Sequence, residues 1–229
     1  MPQPVALYGS SGQALSVRDI CTSKALSASG AQLYEVVAFI DDFKGDQGIS
    51  IGGIPVVTLG LWRERFPAVP CIVTICDPFA RRAIVARVIR AGGKFASIFE
   101  ATGWISPDVF VGEGTWIAPS PTYIGPRVRI GNHVMILPFN VIGHDCRVGD
   151  YVTICPSVNV SGRVIIEDEV FIGVGAIIVN GSESRPLKIG KGAMIAAGSV
   201  VVRSVPEGAK VIGNPAEDPR AFFTKRRAR

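Results

Sequence analysis

The chain has 229 residues, of which 48% are hydrophobic and 19% are charged, so disordered and collagen-like classes are excluded. Of the formal net charge of +5, four positive charges lie in a short C-terminal segment, Lys225, Arg226, Arg227 and Arg229. A basic face for nucleic acid is therefore not indicated. We interpret residues 217–229 as a solvated basic tail, with phosphate binding as the alternative.

The sequence also argues against a membrane or secreted protein. No run of about 18 apolar residues is present, so a spanning helix is not expected. The start, "MPQPVALYGSSG", lacks the basic and apolar regions of a secretory signal. The five cysteines are odd in number and show no CxxC spacing, which is typical of reduced thiols. We expect a cytoplasmic protein without a membrane partner.

The first hundred residues alternate short apolar strands with helical stretches. Strands are predicted at "VALYG", "YEVVAFIDD", "CIVTI" and "KFASIF", with a hairpin-like piece at "GISIGGIPVVTLG". Helices are predicted at "ALSVRDICTSKAL", "LWRERF" and "DPFARRAIVARVIRAGG". This alternation predicts a parallel α/β sheet, in a Rossmann-like domain over residues 1–98 with a crevice at the carboxyl ends of its strands.

The rest of the chain has a period of six. Ile or Val recurs without a miss at Ile124, Ile130, Ile136, Ile142, Val148, Ile154, Val160, Ile166, Ile172 and Ile178. The same spacing occurs one residue out of phase at Ile105, Val111 and Ile117, and it resumes at Ile189 after the extra segment "NGSESRPLK" (180–188). Neither a helix nor an ordinary strand has this period. It predicts a parallel β-helix over residues 99–216, with one aliphatic side chain per hexapeptide on the prism axis.

Three predicted strand ends carry candidate ligand-binding residues. The segment "YGSSGQ" follows a strand and opens a helix, so its backbone N–H groups can face an anion, although a plain βα turn explains it equally well. Asp41 and Asp42 end the second strand, a location that suits ribose or sugar hydroxyls. "TICDPFARR" ends a third strand at the same edge. Their convergence favours a nucleotide-type ligand.

His144 lies near a corner of the predicted prism, two residues after the inward-facing Ile142. An isolated corner histidine is usually a solvated surface residue, and we interpret His133 in this way. Asp145 could orient one ring nitrogen of His144 and leave the other to accept a proton, so this pair is a candidate general base. Cys146 occupies a small inward position, and we expect it to pack instead of carrying an acyl group.

The pattern from "VIGHDCRVGDYVTIC" to "VIGNPA", together with "YGSSGQ" and "FIDD", resembles the bacterial nucleotide-sugar N-acyltransferases of the NeuD/PglD type. The resemblance covers residues 5 to about 216. It implies a left-handed β-helix and a homotrimer with active sites between neighbouring prisms. It also implies a metal-free, direct transfer of an acetyl group from acetyl-CoA to the amine of a nucleotide-linked sugar, as in glycan and polysaccharide biosynthesis.

The resemblance further implies roles for individual residues. His144 matches the general base and Asp145 the acid that hydrogen-bonds it. The implied nucleotide-sugar pocket comprises Gly9, Ser11, Gly12, Gln13, Asp41 and Asp42. The implied acyl-CoA groove comprises Gly162, Gly173, Gly175, Ala197, Asn214 and Pro215. Relatives commonly carry a histidine where this chain has Gln13.

Three other functions are compatible with parts of the sequence. The first is O-acetylation of a sugar or of serine on the same prism. The second is a metal hydratase, which would need about three imidazole ligands around zinc, whereas the chain has two histidines. The third is a non-catalytic, nucleotide-binding trimeric scaffold. The segment 180–188 either reshapes the CoA groove or is a plain surface loop.

Overall fold

The computed structural model describes residues 1–22, 33–99, 103–118, 120–218 and 220. Four of the five basic residues of the tail, Lys225, Arg226, Arg227 and Arg229, lie outside these ranges, as do positions 23–26 of the first predicted helix. The α/β elements extend to residue 90 and the first prism strand begins at residue 104, so the boundary that we propose after residue 98 falls between them.

The N-terminal part is a five-stranded sheet with three helices. Its elements are β1 (Gln3–Tyr8), α1 (Gly12–Thr22), β2 (Tyr34–Ile40), β3 (Ser50–Ile51), β4 (Ile54–Val57), α2 (Leu59–Arg65), β5 (Cys71–Val73) and α3 (Pro78–Arg90). The strand order is β3-β4-β2-β1-β5, parallel except for the β3–β4 hairpin. The Rossmann-like prediction is confirmed. Because the central strands are parallel, the residues that follow β1, β2 and β5 meet at one edge.

The second part is a parallel β-helix with three faces, as the period of six predicts, and it is left-handed, as the resemblance implies. Face 1 consists of β6 (Trp104–Ile105), β9 (Tyr123–Ile124), β12 (Val141–Ile142), β15 (Asn159–Val160), β18 (Ile177–Ile178) and β21 (Val200–Val201). Face 2 consists of β7 (Phe110–Val111), β10 (Arg129–Ile130), β13 (Arg147–Val148), β16 (Val164–Ile166) and β19 (Leu187–Ile189). Face 3 consists of β8 (Trp116–Ile117), β11 (Met135–Ile136), β14 (Thr153–Ile154), β17 (Phe171–Ile172), β20 (Met194–Ile195) and β22 (Lys210–Val211).

The aliphatic residues stack in register through the prism. On face 2, Ile130 pairs with Val148, Val148 with Ile166, and Ile166 with Ile189, and all four are almost completely buried. Burial of each such side chain stabilises the fold by about 1.5–3 kcal/mol. One regular coil therefore takes three hexapeptides, and a residue lies directly above the one 18 positions later. The extra segment lengthens one coil to 23 residues, from Ile166 to Ile189, but the strands still stack, because β19 pairs with β16.

The corners of the prism need a left-handed backbone. Eight non-glycine residues, spaced six apart, have φ between 54° and 65°: Arg127, His133, Phe139, Asp145, Tyr151, Ser157, Arg163 and Glu169. This conformation costs about 1–2 kcal/mol for an L-residue. Stacking of the coils on both sides compensates for that cost. At later corners glycine takes the position, as at Gly175, where the strain is absent.

The N-terminal domain packs on face 3 and on the corner between faces 2 and 3. Arg81 of α3 is 1% exposed, and its guanidinium donates to Ile75 O (2.6 Å) and Cys76 O (3.2 Å) in its own domain. It also donates to three prism carbonyls, His133 O at 2.8 Å, Tyr151 O at 2.6 Å and Val152 O at 3.0 Å. One buried cation therefore joins the two domains.

Two predictions for this interface were wrong. The segment "KFASIF" does not form a regular strand: Phe95 and Ile98 make single bridges, to Cys71 and Trp116, and so connect the two sheets. His133 is not a surface residue, because the N-terminal domain covers its corner and leaves it 6% exposed. Its ring stacks on Tyr151 (centroids 5.3 Å apart) and meets Phe95 edge-on at 4.6 Å.

The buried position of His133 should make folding depend on pH. Burial, with a smaller contribution from Arg81, lowers the pKa of this imidazole to about 4, while Asp150 opposes the shift. Between pH 6.5 and pH 4, the imidazole is protonated in the unfolded chain but still neutral in the folded chain. The contribution of neutral His133 to the free energy of unfolding is therefore complete above pH 6.5. It is lost as the pH falls from 6.5 to 4, and the loss is at most about 3 kcal/mol.

We expect the free energy of unfolding, measured with urea at pH 7 and pH 4.5, to fall more steeply in the wild type than in His133→Gln. The variant loses ring packing and is less stable at both values, so the difference between the two values of pH is the informative quantity. Equal pH dependence in the two proteins would contradict the assignment.

Candidate active site

His144 and Asp145 occupy the corner between faces 1 and 2 and contact each other directly. Nδ1 of His144 lies 2.6 Å from Oδ2 of Asp145, and the histidine side chain is 45% exposed. An ionised carboxylate can only accept, so Nδ1 carries the proton of the neutral ring and Nε2 is left with a free lone pair. The predicted pair is therefore assembled within one chain in the arrangement that a general base needs.

Arg127, which the sequence analysis did not identify, is the second partner of Asp145. It lies one coil above, 18 residues earlier, and its Nε and Nη2 donate to the two carboxylate oxygens at 2.6 and 2.9 Å. These bonds, together with the one from His144, hold the pKa of Asp145 well below its usual range. The carboxylate is thus ionised and fixed in orientation by a two-point contact.

Gly162 lies directly below the ring, 18 residues after His144. A Cβ built on Gly162 would be 2.7 Å from Nε2 and 2.8 Å from Cε1 of His144, so any side chain here would displace the ring. The backbone of the lower coil also holds the backbone of His144 in place, because Arg163 N–H donates to His144 O at 2.9 Å. Of the predicted acyl-CoA residues, Gly162 is the one that the fold brings to the base.

Cys146 is fully buried on the prism axis beside this pair, as predicted. Its thiol donates to Ser161 O at 3.1 Å. Burial raises the pKa of Cys146 to about 11, so little thiolate forms at neutral pH. These features fit a packing role and do not favour an acyl-cysteine.

The predicted nucleotide pocket lies at the carboxyl edge of the N-terminal sheet. Gly9 follows β1 with φ 118°, and its missing Cβ leaves room for Thr74 Oγ1, which a side chain would approach to 2.8 Å. Ser11 and Gly12 are exposed at the start of α1, and Gln13 is partly exposed. The first N–H groups of this helix therefore face the open edge.

The two acids at this edge have different roles. Asp42 accepts from Tyr8 Oη, from Leu59 N–H (3.0 Å) and from Arg87 Nη2 (2.7 Å). Burial alone would raise the pKa of Asp42, but these contacts lower it. Its carboxylate therefore ties α2 and α3 to the sheet. Asp41 accepts from Ser10 Oγ and from Phe43 N–H, which leaves it the better candidate for a ligand hydroxyl.

The other predicted acyl-CoA residues lie on the opposite edge of face 1 from His144. Gly173 and Gly175 form the corner between faces 3 and 1, and a Cβ on Gly173 would be 2.6 Å from Ala197 N in the next coil. Asn214 and Pro215 follow Gly213, whose carbonyl accepts from Val200 N–H at 2.9 Å, so they close the lower end of face 1. One chain does not bring these residues to the base.

Face 1 lies between these two edges and exposes apolar side chains. Trp104 is 51% exposed, Ile177 44%, Tyr123 41% and Val141 37%, and the rings of Trp104 and Tyr123 stack 5.0 Å apart. The upper strands of face 3 are covered by the N-terminal domain. Three of the five outward positions of face 2 are charged (Arg129, Arg147 and Lys188), and the other two are Phe110 and Ile165. The base thus lies at the rim of an uncovered apolar surface.

Within the described ranges, no group of three or more His, Cys, Asp and Glu side chains is placed to hold a metal ion. Nor does any helix in those ranges combine the length and apolar character needed to cross a membrane.

Comparison with known proteins gives consistent results. Residues 127–162 match the bacterial transferase hexapeptide (six repeats) family. A GDP-perosamine N-acetyltransferase from Escherichia coli O157:H7 is 36% identical over 146 residues, which span 64% of this chain and 66%, just under two thirds, of that enzyme.

Two solved structures match nearly the whole chain. PerB from Caulobacter crescentus, in complex with CoA and GDP-perosamine, superposes with TM-score 0.78 at 27% identity and covers 95% of this chain and 97% of its own. The acetyltransferase domain of PglB from Neisseria gonorrhoeae FA1090, in complex with acetyl coenzyme A, gives 0.79 at 25% identity, covering 95% and 100%. The resemblance inferred from the sequence is confirmed: the chain is similar, over nearly its whole length, to bacterial hexapeptide-repeat acetyltransferases.

Proposed function

We propose that the protein transfers an acyl group, with acetyl as the first candidate, from acyl-CoA to the amino group of a nucleotide-linked amino-deoxy sugar. The observation that carries this proposal is the His144–Asp145 hydrogen bond, which leaves Nε2 free at the rim of face 1. The similarity to a GDP-perosamine N-acetyltransferase and to PerB supports an amino sugar as the acceptor. Such a product would serve glycan or polysaccharide biosynthesis.

The proposed base acts on the acceptor amine. The amine nitrogen must lose a proton as it bonds to the carbonyl carbon of the thioester that acyl-CoA supplies. Nε2 of His144 accepts this proton while Nδ1–H stays hydrogen-bonded to Asp145, and the carboxylate stabilises the charge that forms on the ring. The C–S bond of the tetrahedral intermediate then breaks, and the proton on Nε2 is passed to the departing thiolate, so that CoA leaves as the free thiol and the ring is neutral again. A positioned general base contributes typically about 10²–10⁴-fold to the rate.

Arg127 has a positioning role in this scheme. Its two hydrogen bonds keep Asp145 ionised and aligned, so the ring holds one tautomer and one orientation. The guanidinium contacts the carboxylate and not the ring, so it acts on the base only through Asp145.

We further propose that the working unit is a homotrimer in which face 1 contacts a second copy. Exposed apolar side chains on this face give a hydrophobic interface, and a cyclic head-to-tail contact of one surface with another closes a ring. Such an interface would bring Gly173, Gly175 and Ala197 of one copy towards His144 of another. It also accounts for the separation of the N-terminal crevice from the base within one chain.

We infer a cytoplasmic location for this reaction. All five cysteines are free thiols, which suits a reducing compartment.

His144→Ala is expected to keep the fold and the trimer, because the half-exposed corner ring contributes little to the core. We expect kcat/KM to fall by about 10²–10⁴-fold, measured as thiol release from acetyl-CoA with a panel of nucleotide-linked amino sugars. Matched acceptors with a hydroxyl in place of the amine test the O-acetylation alternative. Normal turnover in the variant would remove His144 as the base.

Asp145→Asn is expected to lower turnover less than His144→Ala, since it weakens orientation but leaves the ring. Both variants are compared at equal trimer content in the same assay. A larger loss for the asparagine variant would require a more direct role for the acid.

Arg127→Gln is expected to raise the pKa of the Asp145 carboxyl towards its usual range, because the largest contact that lowers it is removed. The measurement is a titration of the carboxyl ¹³C resonance. Arg129→Gln is the matched control, since Arg129 makes no hydrogen bond to Asp145 among the described residues. An unchanged titration in Arg127→Gln would show that the ion pair does not hold the carboxylate.

Ile177→Asp, which adds a charge to face 1, is expected to dissociate the trimer and abolish turnover together. Sedimentation measures the assembly, with Ile165→Asp on face 2 as the matched control that should stay trimeric. A monomeric wild type, or a trimeric Ile177→Asp variant, would contradict the proposed interface.

A further inference from the structure

A groove opens on the face-2 side of Asp145, away from the rim where His144 is exposed. Its volume is about 450 Å³, and its walls include Arg127, Asp145, Arg147, Arg163, Glu183 and Pro186. The last two belong to the extra segment, which therefore does not project freely but forms one wall. We call this feature the arginine groove.

Arg147 and Arg163 of this groove have no acidic partner. Some other arginines of the described ranges meet carboxylates, Arg18 with Asp19, Arg82 with Glu169, Arg87 with Asp42, and Arg127 with Asp145, and Arg81 is satisfied by backbone carbonyls. Arg147, Arg163 and the adjacent Arg129 make no ion pair among the described residues. Three arginines without an ion pair among the described residues thus line the depressions beside Asp145.

The register of the prism brings these cations together. Arg129 and Arg147 are direct partners on neighbouring parallel strands of face 2, about 4.8 Å apart along the hydrogen-bonding direction. Like charges in such positions repel each other. A neighbouring depression contains both arginines with Arg127, Asp108 and Asp145, but Asp108 already accepts from Ser106 Oγ and Arg127 N–H. Asp108 and Asp145 are therefore engaged, and the groove is lined by three arginines against two acids, Asp145 and Glu183, which leaves a formal excess of one positive charge for a ligand.

We propose that the arginine groove binds a phosphate group of one of the two substrates through Arg147 and Arg163. The guanidinium fork matches two phosphate oxygens at once, which makes arginine suited to this contact. The phosphate belongs either to the CoA part of the donor or to the diphosphate of the nucleotide sugar, and in this respect the inference rests on the proposed function. Glu183 on the opposite wall opposes anion binding, so its removal strengthens the contact.

The test is equilibrium binding by calorimetry, with CoA, 3′-dephospho-CoA, GDP and UDP as probes. Arg147→Gln/Arg163→Gln should lower the affinity for at least one probe by tenfold or more. Glu183→Gln should raise the affinity for the same probe by about two- to fivefold. Arg65→Gln, at an exposed position of α2, removes the same single charge as Arg147→Gln and should not change the affinity for any probe. Arg147→Gln alone, on an exposed strand position, guards against misfolding of the double variant.

The probes separate the sources of the phosphate. If the double variant binds CoA more weakly but 3′-dephospho-CoA with unchanged affinity, the groove binds the 3′-phosphate. If it binds both more weakly, the groove binds the pyrophosphate of CoA. If it binds GDP or UDP more weakly, the groove binds the diphosphate of the nucleotide sugar. If the double variant bound every probe with an affinity within twofold of wild type, or if the wild type bound none of them, the proposal that the groove binds phosphate would be wrong. Arginine-dependent binding without acyl transfer to any amino sugar would instead overturn the proposed function and leave the groove in place.

Discussion

The stacking of aliphatic side chains along the prism axis is the constraint on which the candidate site depends. Because the column fixes one coil at 18 residues, side chains at that spacing must lie above one another. This vertical register sets Arg127 over Asp145 and the ring of His144 over Gly162. The placement of the polar side chains at the corner therefore depends on the stacking of aliphatic residues that are not themselves part of the candidate site.

The fold could be predicted because its main determinant is periodic. Ten Ile or Val residues in one phase are enough to identify a parallel β-helix, and alternating strands and helices are enough for the first domain. The His144–Asp145 pair followed from its position at a corner. The contact of Arg127 with Asp145 was within reach as well, since three hexapeptides separate them, but the sequence alone does not say which corner side chains turn towards each other.

Other features depend on packing that a period cannot encode. His133 occupies a corner like that of His144, yet the N-terminal domain covers it, and no pattern states which face that domain will cover. Asp42 was grouped with Asp41 on sequence grounds, whereas its contacts with Tyr8, Leu59 N–H and Arg87 come from three separate elements. The left-handed backbone at the corners could not be predicted from residue type either, because residues as different as Phe139 and Asp145 adopt it.

The five hydrogen bonds of Arg81 also determine how substrates can reach the site. A hinge that lifted the N-terminal domain from the prism would break the bonds to three carbonyls at once and would uncover the rings of His133 and Phe95. These contacts favour a fixed arrangement of the two parts during the proposed reaction. In that arrangement, substrates would reach His144 along the outer rims of the prism, without a closing movement of the N-terminal domain.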